Sequence, residues 1–137
     1  EKISKLGLEK QVILRPFVSY DELVRYICLA DVSVNTFIPS LVTHCVLPGR
    51  VLQSIACGVP VVSTPLHGMM SYSKGSDTVI YRELDASFVD AVVDLLNNPT
   101  KSKEIGLASR ELVISKGTWP DFVAEFSSLA QNLVAMR

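Results

Sequence analysis

Strand-length apolar runs that do not alternate constrain this chain more than any other feature. Val12-Ile13-Leu14, within Gln11–Phe17, and Val61-Val62, within Pro60–Thr64, put hydrophobic side chains on both faces of an extended segment. A strand of that kind is stable only when covered above and below, the condition met in a parallel sheet with helices on both sides. The intervening segments follow a helical period instead. Ser19, with Glu22 three residues on, has the form of a capping box, and Leu23, Tyr26, Ile27 and Ala30 share one face of the helix that follows. Asp31–Phe37 alternates Val32 and Val34 with polar residues and predicts a second strand.

Punctuation divides the remainder. Ile38–Leu47 lacks periodicity and predicts a loop; Pro48-Gly49 opens a short helix through about Cys57, burying Val51, Leu52, Ile55 and Ala56. Gly58 ends it as a residue free to adopt a left-handed φ. Pro65–Asp77 reads as a long loop and Thr78–Tyr81 as a short strand. Three helices follow: Asp85–Asn97; a helix capped by Asn98, with Pro99 at its first position, to about Ser115; and a last one opened by Thr118 and Asp121. The final helix carries Trp119, Phe122, Phe126, Leu129, Leu133 and Met136 as one stripe, which predicts packing on a core. Glu1–Gly7 reads as the end of a helix whose beginning precedes the chain. Strand–helix alternation therefore predicts an α/β fold, a Rossmann-like three-layer parallel sheet with helices on both faces. Residues 1–137 are expected to form a single, partial domain truncated on its N-terminal side.

Charge and cysteine content remove several functions. Thirteen Lys plus Arg against fourteen Asp plus Glu leave a net charge of −1, so the chain lacks the basic footprint of a nucleic-acid binder. Three separated cysteines, Cys28, Cys45 and Cys57, support neither a disulfide framework nor a paired metal site and suit reduced thiols in the cytoplasm. No apolar run approaches the ~20 residues of a membrane span.

In an open parallel sheet, ligands bind beyond the carboxyl ends of the strands, here the loops after Phe17, Thr36 and Thr64. Arg50 stands in the first turn of its helix, where the macrodipole is already positive. An anion held between the guanidinium and the free N–H groups would reconcile the two; a solvated Arg50 or a surface ion pair is the plain alternative. His67, before Gly68, is either a donor to phosphate or sugar oxygens or a solvated loop side chain. His44 beside Cys45 has no further ligands at zinc-like spacing.

The stretch Leu47-Pro48-Gly49-Arg50-Val51-Leu52-Gln53-Ser54-Ile55-Ala56-Cys57-Gly58-Val59-Pro60-Val61-Val62-Ser63-Thr64, with Gly68 beyond it, resembles the donor-binding lobe of retaining glycosyltransferases built from two Rossmann-like lobes, the GT-B fold of family 4 type. Ala30-Asp31-Val32, Asn97-Asn98-Pro99, Ala108-Ser109-Arg110 and Trp119 extend the similarity. The resemblance implies transfer of a hexosyl-type sugar from a nucleotide diphosphate sugar to a glycan, lipid-linked or other acceptor. It implies no cofactor and no metal, with peripheral membrane contact left open. Arg50 and Gly49 would then face the diphosphate, Gln53 the ribose, and Cys45, His67 and Gly68 the remainder of the donor. Many relatives carry two glutamates where this chain has Cys45 and Gln53. The acceptor lobe and the first strand–helix units, with their glycine-rich loop, Arg and Lys, are expected to precede Glu1, and the chain alone is expected to be inactive. A degenerate binding module of the same fold, or a nucleotide-sugar epimerase, are the alternative readings.

Overall fold

The computed structural model describes residues 1–74 and 76–135. Its elements in chain order are α1 (Lys2–Lys5), α2 (Tyr20–Cys28), β1 (Ser33–Asn35), α3 (Leu41–His44), α4 (Gly49–Ala56), β2 (Val61–Ser63), α5 (His67–Tyr72), β3 (Val79–Tyr81), α6 (Ala86–Asn97), α7 (Pro99–Ser115) and α8 (Trp119–Ala135). The strands form a parallel sheet in the order β1-β2-β3, with Ser33 opposite Val61 and Val61 opposite Val79.

Successive side chains of β2 feed opposite cores, as period 2 requires. Val61 joins Val51 and Ile55 of α4, Leu66, Met69 of α5 and Val79. Its neighbour Val62 joins Phe88, Ala91 and Leu95 of α6. The sheet is thus covered on both faces, giving the Rossmann-like three-layer arrangement expected from the non-alternating strands. Helix α7 packs on both α4 and α6 and closes the assembly beyond the N-terminal ends of the strands.

Local signals hold where they are chemically complete. Ser19 and Glu22 make a full capping box at α2. Gly7 and Gly58 take φ values of 65° and 76° as the residues that end α1 and α4. Asp121 accepts from the Thr118 N–H and hydroxyl at the start of α8. Asn98 behaves differently from expectation. Its Nδ2 donates to the Asp94 carbonyl, so it closes α6 and gives α7 no side-chain cap.

Two larger expectations are corrected. Gln11–Phe17 is not a strand: no strand among the described residues pairs with it, and Ile13, Leu14 and Phe17 stand exposed. An apolar run becomes a strand only when a neighbouring backbone accepts its hydrogen bonds. The sheet therefore has three strands here rather than four. Helix α8 forms with the expected period, but Trp119, Phe122, Phe126, Leu129 and Leu133 are all exposed, and its stripe lies on no core among the described residues. Met136 lies outside the described residues. No helix among them is long and apolar enough to cross a membrane.

Candidate functional site

The carboxyl ends of β1 and β2 are tied together by polar side chains. Asn35 is paired in register with Ser63, is fully buried, and donates through Nδ2 to the Ser63 hydroxyl at 3.0 Å. That hydroxyl in turn donates to the Thr64 carbonyl at 2.9 Å. Among the described residues the Asn35 carboxamide oxygen has no hydrogen-bond partner. A buried, unpaired acceptor costs about 1–3 kcal/mol, so its presence at the ligand-binding end of a parallel sheet is informative. The alternation in Asp31–Phe37 did not signal this, because the polar face of β1, Ser33 and Asn35, is the one turned inward. Ser54 of α4 donates to the Ser33 hydroxyl at 2.8 Å, while Val34 is 45% exposed.

Beyond β1 the chain carries Phe37, whose carbonyl accepts from the Thr64 hydroxyl at 2.6 Å. This bond fixes the loop over the end of β2 and places the Phe37 ring beneath Arg50, whose guanidinium carbon lies 5.5 Å from the ring centroid. A guanidinium over an aromatic face is held by cation–π attraction without losing its N–H donors. Arg50 is exposed and forms no ion pair among the described residues. Gly49 opens α4 beside it, and a Cβ built there would meet nothing within 4 Å. Packing therefore does not demand glycine at 49; the space in front of the helix terminus is simply open. Gln53, one turn further along α4, lines a groove with Arg50, Tyr26 and Ile27 of α2, and Val34 on the outer edge of β1.

A second group gathers where α3 meets α5. Both helices lie in stretches expected to be loops, since four and six residues are too few to show a period. The imidazoles of His44 and His67 stack with centroids 4.0 Å apart and planes at 19°, and the His67 N–H points at His44 Nδ1 over 3.4 Å. Gly68 makes this approach feasible. A Cβ at that position would lie 3.1 Å from the Val46 carbonyl oxygen and 3.2 Å from that of His44. Cys45 caps α3 and is exposed. Among the described residues, no three His, Cys, Asp or Glu side chains gather into a metal-binding group. His44 is the residue that sequence reasoning passed over as a partner for His67; the two are 23 positions apart and no spacing rule connects them.

Gly68→Ala is expected to push α5 away from α3, because both neighbours are backbone oxygens that cannot swing aside. Imidazole proton resonances should report it: the mutual ring shielding of His44 and His67 diminishes in the variant while the sheet residues keep their shifts.

Residues 1–98 match the family model described as glycosyl transferases group 1. No curated protein matches the sequence. Among solved structures, the chain is similar to sucrose-phosphate synthase from Thermosynechococcus elongatus, with a TM-score of 0.80 and 21% sequence identity over 99% of this chain and 33% of that chain. At this identity the likeness speaks for the fold, and it includes α7 and α8, which lie beyond the family match. The chain spans about a third of the length of the enzyme chain it matches. With the match covering well over half its residues, this chain belongs to the group 1 glycosyl transferases.

Proposed function

We propose that these residues are the donor-binding part of a retaining, family 4 type glycosyltransferase that takes a hexosyl group from a nucleotide diphosphate sugar. The observation that carries this reading is Arg50. It stands on the positive end of α4, propped on Phe37, with no carboxylate paired to it among the described residues. A cation in that position is unfavourable by a few tenths to about 1 kcal/mol unless an anion lies against it and the free N–H groups. A diphosphate meets both needs. Gln53, facing the same groove, can donate to and accept from ribose hydroxyls. In this reading Gly68 and His67, whose ring stacks on His44, take the remainder of the donor, with the imidazole offering an N–H to phosphate or sugar oxygens.

The acceptor lobe and the first strand–helix units of this lobe lie outside these residues in our reading. The groove along β1 supports it: Val34 is exposed, and β1 has no second neighbour among the described residues. A glycan or lipid-linked acceptor would meet the donor between the lobes, so the isolated chain is expected to turn over nothing. Neither a cofactor nor a metal is part of the proposal.

Cys45 and Gln53 favour a second reading, a degenerate binding module of the same fold. Neither side chain reproduces the carboxylates that the resemblance to family 4 leads one to expect at these positions. Calorimetric titration of the full-length protein with nucleoside diphosphates, alongside a donor-consumption assay with candidate acceptors, separates the two. Binding with consumption supports the enzyme, binding without consumption supports the module, and absence of binding overturns both.

A further inference from the structure

Between Asp31 and Arg50 the chain carries no Asp, Glu, Lys or Arg. Its apolar side chains beyond β1 are nevertheless turned outward. Ile38 is 75%, Leu41 91% and Val42 75% exposed, on the connection that leaves the carboxyl end of β1 and leads to Arg50. Large apolar side chains held this close together, with no charge among them, are unfavourable in water unless something covers them.

The turn that displays them is ordered and engages its own polar groups. The Ser40 N–H donates to the Thr43 hydroxyl at 2.7 Å, and the Thr43 N–H donates to the Ser40 hydroxyl at 3.1 Å. The Thr43 hydroxyl in turn donates to the Ile38 carbonyl at 2.8 Å, and Pro39 has no N–H to satisfy. At its other end α3 is braced on α5: the His44 ring stacks on His67, and the His44 carbonyl lies close to Gly68. Leu41 and Val42 are thus held outward by a fixed turn rather than by a loose loop.

We propose that this turn docks on the surface of a zwitterionic phospholipid bilayer, with Ile38, Leu41 and Val42 entering the boundary between headgroups and acyl chains. Two features favour lipid as the occupant. An uncharged segment has no ion to desolvate at that boundary, and backbone groups already engaged within the turn need not be stripped of water as it enters. The apolar stripe of α8 differs in this respect, since Glu125 lines the same groove as Phe122, Phe126 and Leu129. With no Lys or Arg in the segment, attachment owes nothing to anionic lipid, and a few apolar side chains give reversible contact rather than permanent anchoring. Contact through the connection between β1 and Arg50 brings the candidate site to the membrane surface, where a lipid-linked acceptor presents its polar end. The docking itself does not rest on the donor-binding reading.

The test mixes full-length protein, without nucleotide, with vesicles of pure phosphatidylcholine and separates bound from free protein by flotation. The expected result is wild-type binding that is the same at low and high salt, and binding at least about tenfold weaker when Leu41→Ser and Val42→Ser are combined. Both positions are exposed and fill no core, so the double variant should keep the wild-type unfolding midpoint. Leu41→Trp gives a second reading: the emission it adds should move to shorter wavelength when vesicles are present. Failure of the wild type to float would leave α3 to a protein partner, such as the acceptor lobe, and overturn the proposal. Flotation lost at high salt, a folded double variant that floats as well as wild type, or Leu41→Trp emission that vesicles leave unchanged would each overturn it too, the last by assigning the lipid to another surface.

Discussion

Replacing Arg50 with alanine in the full-length protein is expected to weaken nucleoside diphosphate binding by about ten- to a hundredfold, the range for losing hydrogen bonds to a charged group. The loss should be specific to the phosphate-bearing part of the ligand. A nucleoside without phosphates would bind wild type and Arg50→Ala equally, since α4 keeps its helical residues and Gln53 is untouched. Arg50 is exposed, so its attraction is screened, and wild-type affinity should fall as salt rises while the variant's falls less. Fold stability provides the control: the side chain fills no core, and its removal leaves Val51 and Ile55 buried beneath it. Calorimetry across a salt series reads both effects. Binding of Arg50→Ala within twofold of wild type would remove Arg50 from the diphosphate.

The parts of this fold legible in the sequence are those whose cause is local. Gly58 ends α4 because its left-handed φ is accessible to glycine and to few other residues, and the Ser19–Glu22 box starts α2 because both partners lie within one turn. Val61-Val62 was readable as a strand covered on both faces because neither face of it could remain in water. Gln11–Phe17 shows the limit. Its apolar run is of the same kind, yet strand formation depends on a neighbouring backbone that the sequence of the run cannot supply. Likewise α8 reveals its apolar face through periodicity, and periodicity says nothing of what lies against that face.

The site was legible to the same degree. Arg50 could be placed at a helix start from Pro48-Gly49, since a proline there is a positional signal. Its support could not: Phe37 reaches it through a hydrogen bond from Thr64, and both belong to strand-end loops with no periodic signature. Asn35 escaped notice because a polar residue in an alternating strand ordinarily faces water, whereas here β1 turns its polar face under α4. That inversion is tolerated because Ser63 accepts from Asn35 and Ser54 donates to Ser33, leaving the Asn35 carboxamide oxygen unpaired among the described residues at the carboxyl end of β1.

Gly106→Ala is expected to be strongly destabilising, because the added methyl meets backbone at well under contact distance. A Cβ built on Gly106 lies 2.0 Å from the Gly58 carbonyl oxygen and 3.0 Å from its carbon, with the Pro60 ring at 3.6 Å. The contact is with backbone, so no side-chain rotation relieves it, and Gly58 cannot retreat without losing the left-handed turn that leads into β2. Helix α7 must instead lift away from α4, and two further bonds are strained in doing so: Arg110 to the Ala56 carbonyl at 2.8 Å and the Ser109 hydroxyl to the Thr78 carbonyl at 2.6 Å. Overpacking of a rigid site costs about 1–3 kcal/mol, and two weakened hydrogen bonds add about 1 kcal/mol each. The helix propensity that alanine gains over glycine, ~1 kcal/mol, offsets only part of this. Chemical denaturation of the full-length protein should therefore show this lobe's unfolding midpoint moved clearly downward in Gly106→Ala. Gly49→Ala, made in open space on α4, should leave that midpoint unchanged or raise it slightly. Equal midpoints for wild type and Gly106→Ala would mean that α7 does not sit on Gly58 as closely as the structure places it.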